Sequence, residues 1–252
     1  MKTAVISGGA GGLGRALATA LQGKGWRTFL LDLDVSQLDT SPAQIPITCD
    51  LTDPAQLRDV VHTILKQTSE IDLVIYNAGI TQIGAFEDLI ESTHRTVFDV
   101  NYFAAVSLAQ AMLQPVRRAK GTHLAISSVA GFAPLYHRTA YSASKHALEG
   151  FFKSLRSEES CHDVRCQIAA PSFVATNPDW KEERADGTTR PGCAPDGIDV
   201  MTPDAAASAI LHGFDKGWPM TPVGRVARLA WWLNGIAPRL FQHQMERKIR
   251  QS

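Results

Sequence analysis

The sequence predicts a doubly wound α/β fold, and three observations carry the prediction. Short apolar runs alternate with longer amphipathic stretches along most of the 252 residues. The runs are apolar at consecutive positions, as strands buried on both faces of a parallel sheet must be, rather than alternating as half-exposed strands do. The first run opens directly into a cluster of glycines that leads a helix, the junction at which such folds take a phosphate.

Taken in order, the first strand is TAVIS (3–7), and the helix behind Gly14 ends near the GKG at 23–25. TFLLDL (28–33) and IPITCDL (45–51) are the second and third strands. DPAQLRDVVHTILKQT is a helix with Asp53 as its N-cap and Pro54 in its first turn, where the missing N–H costs nothing. DLVIYNA (72–78) is the fourth strand, followed by helix over about 87–119. HLAISSV (123–129), a helix over about 138–160 and RCQIAAP (165–171) complete the alternation. With no internal repeat and no low-complexity linker, the expectation is one domain spanning 1–252.

Two regions depart from the alternation. Residues 177–200 are polar and rich in Pro and Gly, the composition of a substrate loop that either closes as a lid or is simply mobile. The extension over 224–252 is helical in character, broken at Pro238, and combines Trp231, Trp232, Leu233, Ile236, Leu240 and Phe241 with Arg225, Arg228, Arg239, Arg247 and Lys248. It reads in three ways: packed over a pocket or on a partner subunit, laid on a membrane surface as a basic amphipathic helix, or loosely ordered.

Composition narrows the function. Twenty-five basic and 25 acidic residues leave no net charge, so no global field attracts nucleic acid or an anionic membrane. Cys49, Cys161, Cys166 and Cys193 show neither CxxC spacing nor a Cys/His grouping, so free thiols in a reducing cytoplasm are expected and no metal site is. The N-terminus runs straight into a strand without the apolar core of a secretory signal, and no 18-residue apolar run predicts a membrane span.

The glycines at 8, 9, 11, 12 and 14 sit between the first strand and an Ala/Leu helix. Residues without a Cβ let the backbone approach a pyrophosphate there, where the free N–H groups and the positive end of the helix attract anions. Asp32 closes the second strand, eighteen residues after Gly14. A carboxylate at that point accepts from both hydroxyls of an adenosine ribose and repels a 2′-phosphate, unless it does no more than cap its own turn. With Leu33 following it, Asp34 nearby and no basic residue between Gly8 and Gly14, the expectation is NAD rather than NADP. Four residues separate Tyr141 and Lys145 in TAYSASKHALEG, one turn apart on the same side of a helix. Small residues surround the pair. By itself the spacing fits an ordinary helix face as well as a reaction centre.

Gly8-x3-Gly12-x-Gly14 preceded by Ser7, Asn77–Gly79 as NAG, Ser128 thirteen residues before Tyr141, and YxxxK at 141–145 together resemble the short-chain dehydrogenase/reductase family over most of the chain. The family usually has Thr where Ser7 stands, a second Asn where Tyr76 stands, and Gly where Ser172 stands. The resemblance implies a Rossmann-type domain with a parallel seven-stranded sheet in the order 3-2-1-4-5-6-7 and helices on both faces. It implies NAD(H)-dependent transfer of hydride between a nicotinamide cofactor and an alcohol or ketone. By resemblance Tyr141 is the acid/base and Lys145 lowers its pKa and binds the nicotinamide ribose. Ser128 holds the substrate oxygen, Ser127 points the other way, and Asn101 anchors a water as a proton relay. An ammonium about 5 Å from the phenol, at an effective dielectric of about 20, would favour phenolate by about 3 kcal/mol. Cofactor contacts are implied for Ser7, Gly8, Gly12, Leu13, Gly14, Asp32, Asp50, Leu51, Asn77, Ala78, Gly79, Tyr141, Lys145, Pro171, Val174 and Thr176. Asp50 would reach the adenine amino group, Val174 the carboxamide through its backbone and Thr176 through its side chain.

The substrate pocket is expected to draw on Ser128, Ala130, Phe132, Tyr136, Phe173 and Trp180, with Ile80, Gln82, Leu135 and His137 nearby. The wall is mostly apolar, which points to an aliphatic, aromatic or steroid-like alcohol or ketone. The extended tail leaves dimer and tetramer both open as the homo-oligomer. Two rivals remain: a catalytically silent dinucleotide sensor that binds a partner, and a nucleotide-sugar epimerase or dehydratase. The first has no need of Tyr141, and the second usually carries a larger C-terminal domain.

Overall fold

A computed structural model describes residues 1–177, 186–192, 199–239 and 242. Its centre is a seven-stranded parallel sheet. In chain order the elements begin with β1 (Thr3–Ser7), α1 (Gly12–Gln22), β2 (Arg27–Asp32), β3 (Gln44–Thr48), α2 (Pro54–Leu65) and β4 (Leu73–Tyr76). There follow a two-residue strand β5 (Thr81–Gln82), α3 (Glu91–Phe98), a π-helical turn (Asp99–Phe103), α4 (Ala104–Ala119), β6 (Thr122–Ile126) and α5 (Thr139–Glu159). The chain continues through β7 (Arg165–Pro171), a second two-residue strand β8 (Thr188–Thr189), α6 (Pro203–Asp215), β9 (Met220–Val223) and α7 (Arg225–Ile236).

The order β3-β2-β1-β4-β6-β7-β9 is the expected 3-2-1-4-5-6-7, since β5 and β8 pair only with each other, antiparallel. β1 and β7 have the bounds read from sequence, and the expected 72–78 and 123–129 strands stop short at Tyr76 and Ile126. The last two or three residues of those runs leave the sheet as the loops that carry Asn77–Gly79 and Ser127–Ser128.

Two apolar layers sandwich the sheet. On one face Leu17 and Leu21 of α1 and Ile210 and Phe214 of α6 pack on Ile6, Leu30, Ile75 and Ile126. On the other, Leu57 and Ile64 of α2, Leu108 and Met112 of α4 and Phe152 of α5 pack on Val5, Phe29, Val74 and Ile168. Residues of even and odd parity along each strand supply the two layers, which is why the runs are continuously apolar. Asp53 caps α2 as expected, its carboxylate accepting from Ala55 N–H at 2.8 Å.

The helix expected over 87–119 is divided by the π turn. The stretch Glu91–Ala119 is, by length and composition, apolar enough to cross a membrane, contrary to the expectation from sequence that no segment is. Its Leu108, Met112 and Val116 instead lie fully buried against the sheet. The tail begins with α7, whose Ala227 and Ala230 pack on Val129 and Ala133, immediately after Ser128. α7 ends at Ile236, two residues before Pro238, where the residue preceding a proline is biased away from helix. Leu240, Phe241, Arg247 and Lys248 lie outside the described residues, as do Trp180 and Cys193.

Candidate active site

The C-terminal ends of β1, β4, β6 and β7 converge on one edge of the sheet, the edge at which doubly wound folds take their ligands. Ser7 closes β1, and its Oγ accepts from the N–H groups of Asn77 and Ala78 at 3.0 and 3.1 Å. Asn77 returns a bond from Nδ2 to Gly8 O at 2.9 Å. The glycine turn and the NAG turn are thereby locked edge to edge, and serine serves for this as well as threonine would. Gly8 has φ +65, and a Cβ on it would stand 2.9 Å from Ala78 Cα. A Cβ on Gly14 would overlap Gly8 O, and one on Gly12 would lie 2.6 Å from Thr176 O. The glycines are thus required by close approach within the turn and to the segment after β7.

Asp32 sits beside this turn. Its Oδ2 accepts from Ala10 N–H at 2.9 Å and its Oδ1 from Leu33 N–H at 2.8 Å. Each oxygen keeps accepting capacity, since an ionised carboxylate has about four lone-pair sites. Asp50 Oδ1 is held by the N–H and hydroxyl of Thr52, fixing the turn that carries Leu51 into α2. Tyr76, which stands in place of the family's asparagine, is fully buried in the layer beneath α4 and α5, its ring against Phe152 and its hydroxyl 2.6 Å from Nδ1 of buried His123. Its side chain is taken up by His123 and Phe152 within the core, so the exchange leaves the backbone of Ala78 and Gly79 untouched.

Ser128 has extended backbone at the mouth of β6, and its Oγ accepts from Ala130 N–H at 3.2 Å. Its hydroxyl is near enough to the Tyr141 phenol to pull the phenol's pKa down. Lys145 is 5% exposed, donates from Nζ to Ile126 O at 2.9 Å, and stands 5.8 Å from the centre of the Tyr141 ring. Asn101 lies within the π turn. Its Oδ1 accepts from Ile80 N–H at 2.8 Å and its Nδ2 donates to Ile80 O and to Ser144 Oγ, each at 2.9 Å. Ser144 Oγ donates in turn to Tyr141 O at 2.8 Å. All four expected side chains therefore meet at one place.

The electrostatics correct one expectation. Burial raises the Tyr141 phenol above its ordinary pKa, and the influences that pull it down are the Ser128 hydroxyl and the charge of Arg138, not Lys145. Burial also weakens Lys145 as a charge, pushing its pKa down to about 8 against an upward pull from Glu149. At a pKa of about 8 the lysine still carries most of its charge near neutral pH and sheds it as pH rises through 8.

The substrate side differs from expectation in several residues. Ala130 is fully buried and belongs to the turn behind Ser128 rather than to an open wall. Gln82 is also fully buried. Its Nε2 donates to Gly84 O and His137 O, and its Oε1 accepts from Ala140 N–H, so it fastens the loop to the start of α5. His137 takes a left-handed backbone (φ 55) that this fastening supports, and its ring stacks on exposed Tyr136. Phe132 packs toward α7, and its carbonyl accepts from Asn234 Nδ2 at 2.6 Å. Phe173 is half-buried, its carbonyl accepting from Met201 N–H.

After Pro171 the Val174 side chain is buried. The Thr176 hydroxyl, expected to face a cofactor carboxamide, donates to Pro191 O at 2.6 Å and accepts from Asn177 at 3.1 Å. Ser172 Oγ, standing where the family has no side chain, finds no partner among the described residues and fills the space that a Cβ on Gly224 would need. No group of three or more His, Cys, Asp or Glu side chains among the described residues is placed to hold a metal.

Sequence reading placed Gln82 near the pocket rather than as a fastener of the loop, and it missed Arg138 and Glu149. Arg138, 9% exposed, donates to Thr81 Oγ1 at 3.2 Å. Glu149 is 1% exposed, one turn beyond Lys145. Its position at i+4 from the lysine, inside the apolar HALEGFF, was the available signal.

A model of the short chain dehydrogenase family matches residues 2–187 of the chain. This chain belongs to the short-chain dehydrogenase/reductase family. Among its relatives, dehydrogenase/reductase SDR family member 7B of Xenopus tropicalis is 30% identical over 270 residues, covering 98% of this chain and 87% of that protein. The Bos taurus protein of the same name is 30% identical over 98% of this chain and 81% of its own length. A short-chain dehydrogenase from Streptomyces avermitilis superimposes with a TM-score of 0.83 at 26% identity, covering 100% of this chain and 99% of that one. A Burkholderia cenocepacia short chain dehydrogenase, solved in complex with NADP, shares the fold at a TM-score of 0.84 and 20% identity over 97% of this chain and 99% of that one. The short-chain dehydrogenase/reductase described here is accordingly an oxidoreductase with a nicotinamide-cofactor fold.

Proposed function

We propose that this oxidoreductase uses NAD(H) and acts on a secondary alcohol or ketone of apolar character. The observation that carries the reading is Lys145 beside the Tyr141 ring and held to the end of β6, next to Ser128, at the strand edge that also bears the glycine turn. The residues present suit the cofactor. The cradle formed by Gly8, Gly12 and Gly14 has no space for a Cβ, so its backbone is bare to a pyrophosphate at the start of α1, with Leu13 beneath it. Asp32 retains acceptor capacity for two ribose hydroxyls and opposes a 2′-phosphate, which favours NAD over NADP. The nicotinamide, when bound, supplies or receives the hydride.

The chain's own residues handle the proton. Tyr141 Oη takes it from an alcohol or gives it to a carbonyl oxygen, and Ser128 Oγ holds that oxygen and stabilises its charge. Lys145 would bind the ribose and keep charge beside the phenol. The Asn101 amide is committed to Ile80 and Ser144, which fixes the π turn beside Lys145. The apolar character of Phe132, Tyr136 and Phe173, which flank Ser128 and Pro171 along the chain, is what favours an apolar substrate. Incubating the protein with NAD or NADH and a panel of aliphatic, aromatic and steroid alcohols and ketones, while following NADH absorbance, tests the proposal. Absence of turnover throughout the panel with either cofactor, in protein shown to bind NADH, would refute it.

A further inference from the structure

Behind the reaction centre lies a buried acid that the proposed chemistry does not use. Glu149 Oε1 accepts from Ser127 Oγ at 2.8 Å, and Oε2 accepts from Lys153 Nζ at 2.8 Å. Ser127 is the residue next to Ser128, and Glu149 follows Lys145 by one turn on the sheet-facing side of α5. A third residue is shaped to the pair: a Cβ on Gly131, in the turn that follows Ser128, would overlap both Ser127 Oγ and the Glu149 carboxylate. Gly131 N–H donates to Ser128 O at 2.9 Å, so the turn closes over the clamp.

We propose that Glu149 is a positioning residue of the reaction centre, clamping Ser127 so that the end of β6 presents Ser128, and supplying the negative charge that keeps Lys145 an ammonium. The inference rests on the roles given above to Ser128, Tyr141 and Lys145. A buried carboxylate is costly unless its oxygens are satisfied, and here both are, one by the strand end and one by Lys153 at the surface. Lys153 is half exposed and takes up the carboxylate only from the solvent side. Among the described residues, the groups facing Lys145 include Tyr141 and Glu149 from α5, the Ile126 carbonyl from β6, and Asn101 across Gly79 from the π turn. Arg138 lies at the head of α5 and acts on Tyr141. Glu149 is the only carboxylate among the groups just named. It pulls the lysine pKa upward against burial, which holds it at about 8.

The test is Glu149→Gln, which keeps an acceptor for Ser127 and removes the charge. Lys145 is followed by carbon NMR in protein labelled at lysine Cε, its resonance identified by loss in Lys145→Met. The lysine titration should move down by about one pH unit in Glu149→Gln, and the alkaline limb of kcat/KM should move with it. Unchanged titration and limb overturn the proposal. Ser127→Ala, which leaves Glu149 and Lys145 in place, should lower kcat about tenfold with little change in NADH affinity. A kcat equal to wild type would overturn the clamp. Because the NMR titration needs no turnover, a shifted lysine in a protein inert to every alcohol would sink the proposed function alone.

Discussion

Acidification from pH 7 to pH 4 should charge a histidine that the fold keeps neutral. His123, in the middle of the sheet, is fully buried, shares its Nδ1 with the Tyr76 hydroxyl, and has no partner for Nε2 among the described residues. Burial lowers its pKa from 6.5 to about 4, with Glu159 pulling up and Arg117 pulling down by smaller amounts. In the unfolded chain it takes up a proton near pH 6.5, and in the folded one only near pH 4. The stability it permits is therefore whole above pH 6.5 and is lost progressively as pH falls toward 4. At 1.36 kcal/mol per pH unit the loss is about 3 kcal/mol, a large share of the 5–15 kcal/mol that holds a typical domain folded. Other groups also titrate here. Glu159, held below its ordinary pKa by Arg117, loses stabilising charge on acidification too. The comparison with His123→Asn removes that shared part. Urea denaturation of both proteins at pH 7, 6, 5 and 4 gives the difference in unfolding free energy at each pH. The substitution should destabilise at pH 7, because it forfeits the stack on Tyr76. That deficit should shrink by about 3 kcal/mol by pH 4. A deficit constant across the series would refute the argument that His123 is buried neutral.

Tyr141→Phe should lower kcat about 10²–10⁴-fold while NADH still binds, and turnover near wild type would remove the acid/base assignment. Asp32→Ala should reduce the preference for NAD over NADP by about tenfold in kcat/KM, and an unchanged ratio would show that Asp32 only caps its turn. Gln82→Ala deprives Ala140 N–H and the His137 and Gly84 carbonyls of their partner, which should cost about 2–4 kcal/mol in denaturant unfolding. A smaller loss would mean the loop before α5 re-forms without it. Gly14→Ala, whose methyl would overlap Gly8 O, should abolish detectable NADH binding in a fluorescence titration.

The sheet was legible because both its faces are covered. β1, β2, β4, β6 and β7 each carry at least two consecutive apolar residues, and the structure buries nearly every position of these strands, polar ones included. β9 was not placed from sequence because MTPV has only two buried residues of four and a proline, as an edge strand can. β5 and β8 are two residues each, too short for any periodicity, and they exist because Gln82 and Thr188 are drawn together from opposite ends of the site. The helix over 87–119 was read as one piece because no residue type announces a π turn. That turn is a matter of where Asn101 must face, and its amide explains it by bonding both main-chain groups of Ile80.

At the site, legibility followed chain locality. Ser7, Gly8, Gly12, Gly14, Ser128, Tyr141 and Lys145 are fixed by short spacings within one turn or one helix, so their residue types speak for themselves. Gln82, Arg138 and Glu149 act across distances of roughly 20 to 60 residues, and only the fold shows which carbonyl or hydroxyl each one meets. The pKa of Tyr141 belongs to the same class. From the sequence, Lys145 is its nearest cation and the natural cause of its acidity. In the structure both groups are desolvated together, which raises the phenol and brings the lysine down to about 8. A buried pair of this kind needs a third group to settle where the proton sits. Glu149, buried on the same helix face and anchored to the neighbour of Ser128, is the one this chain provides.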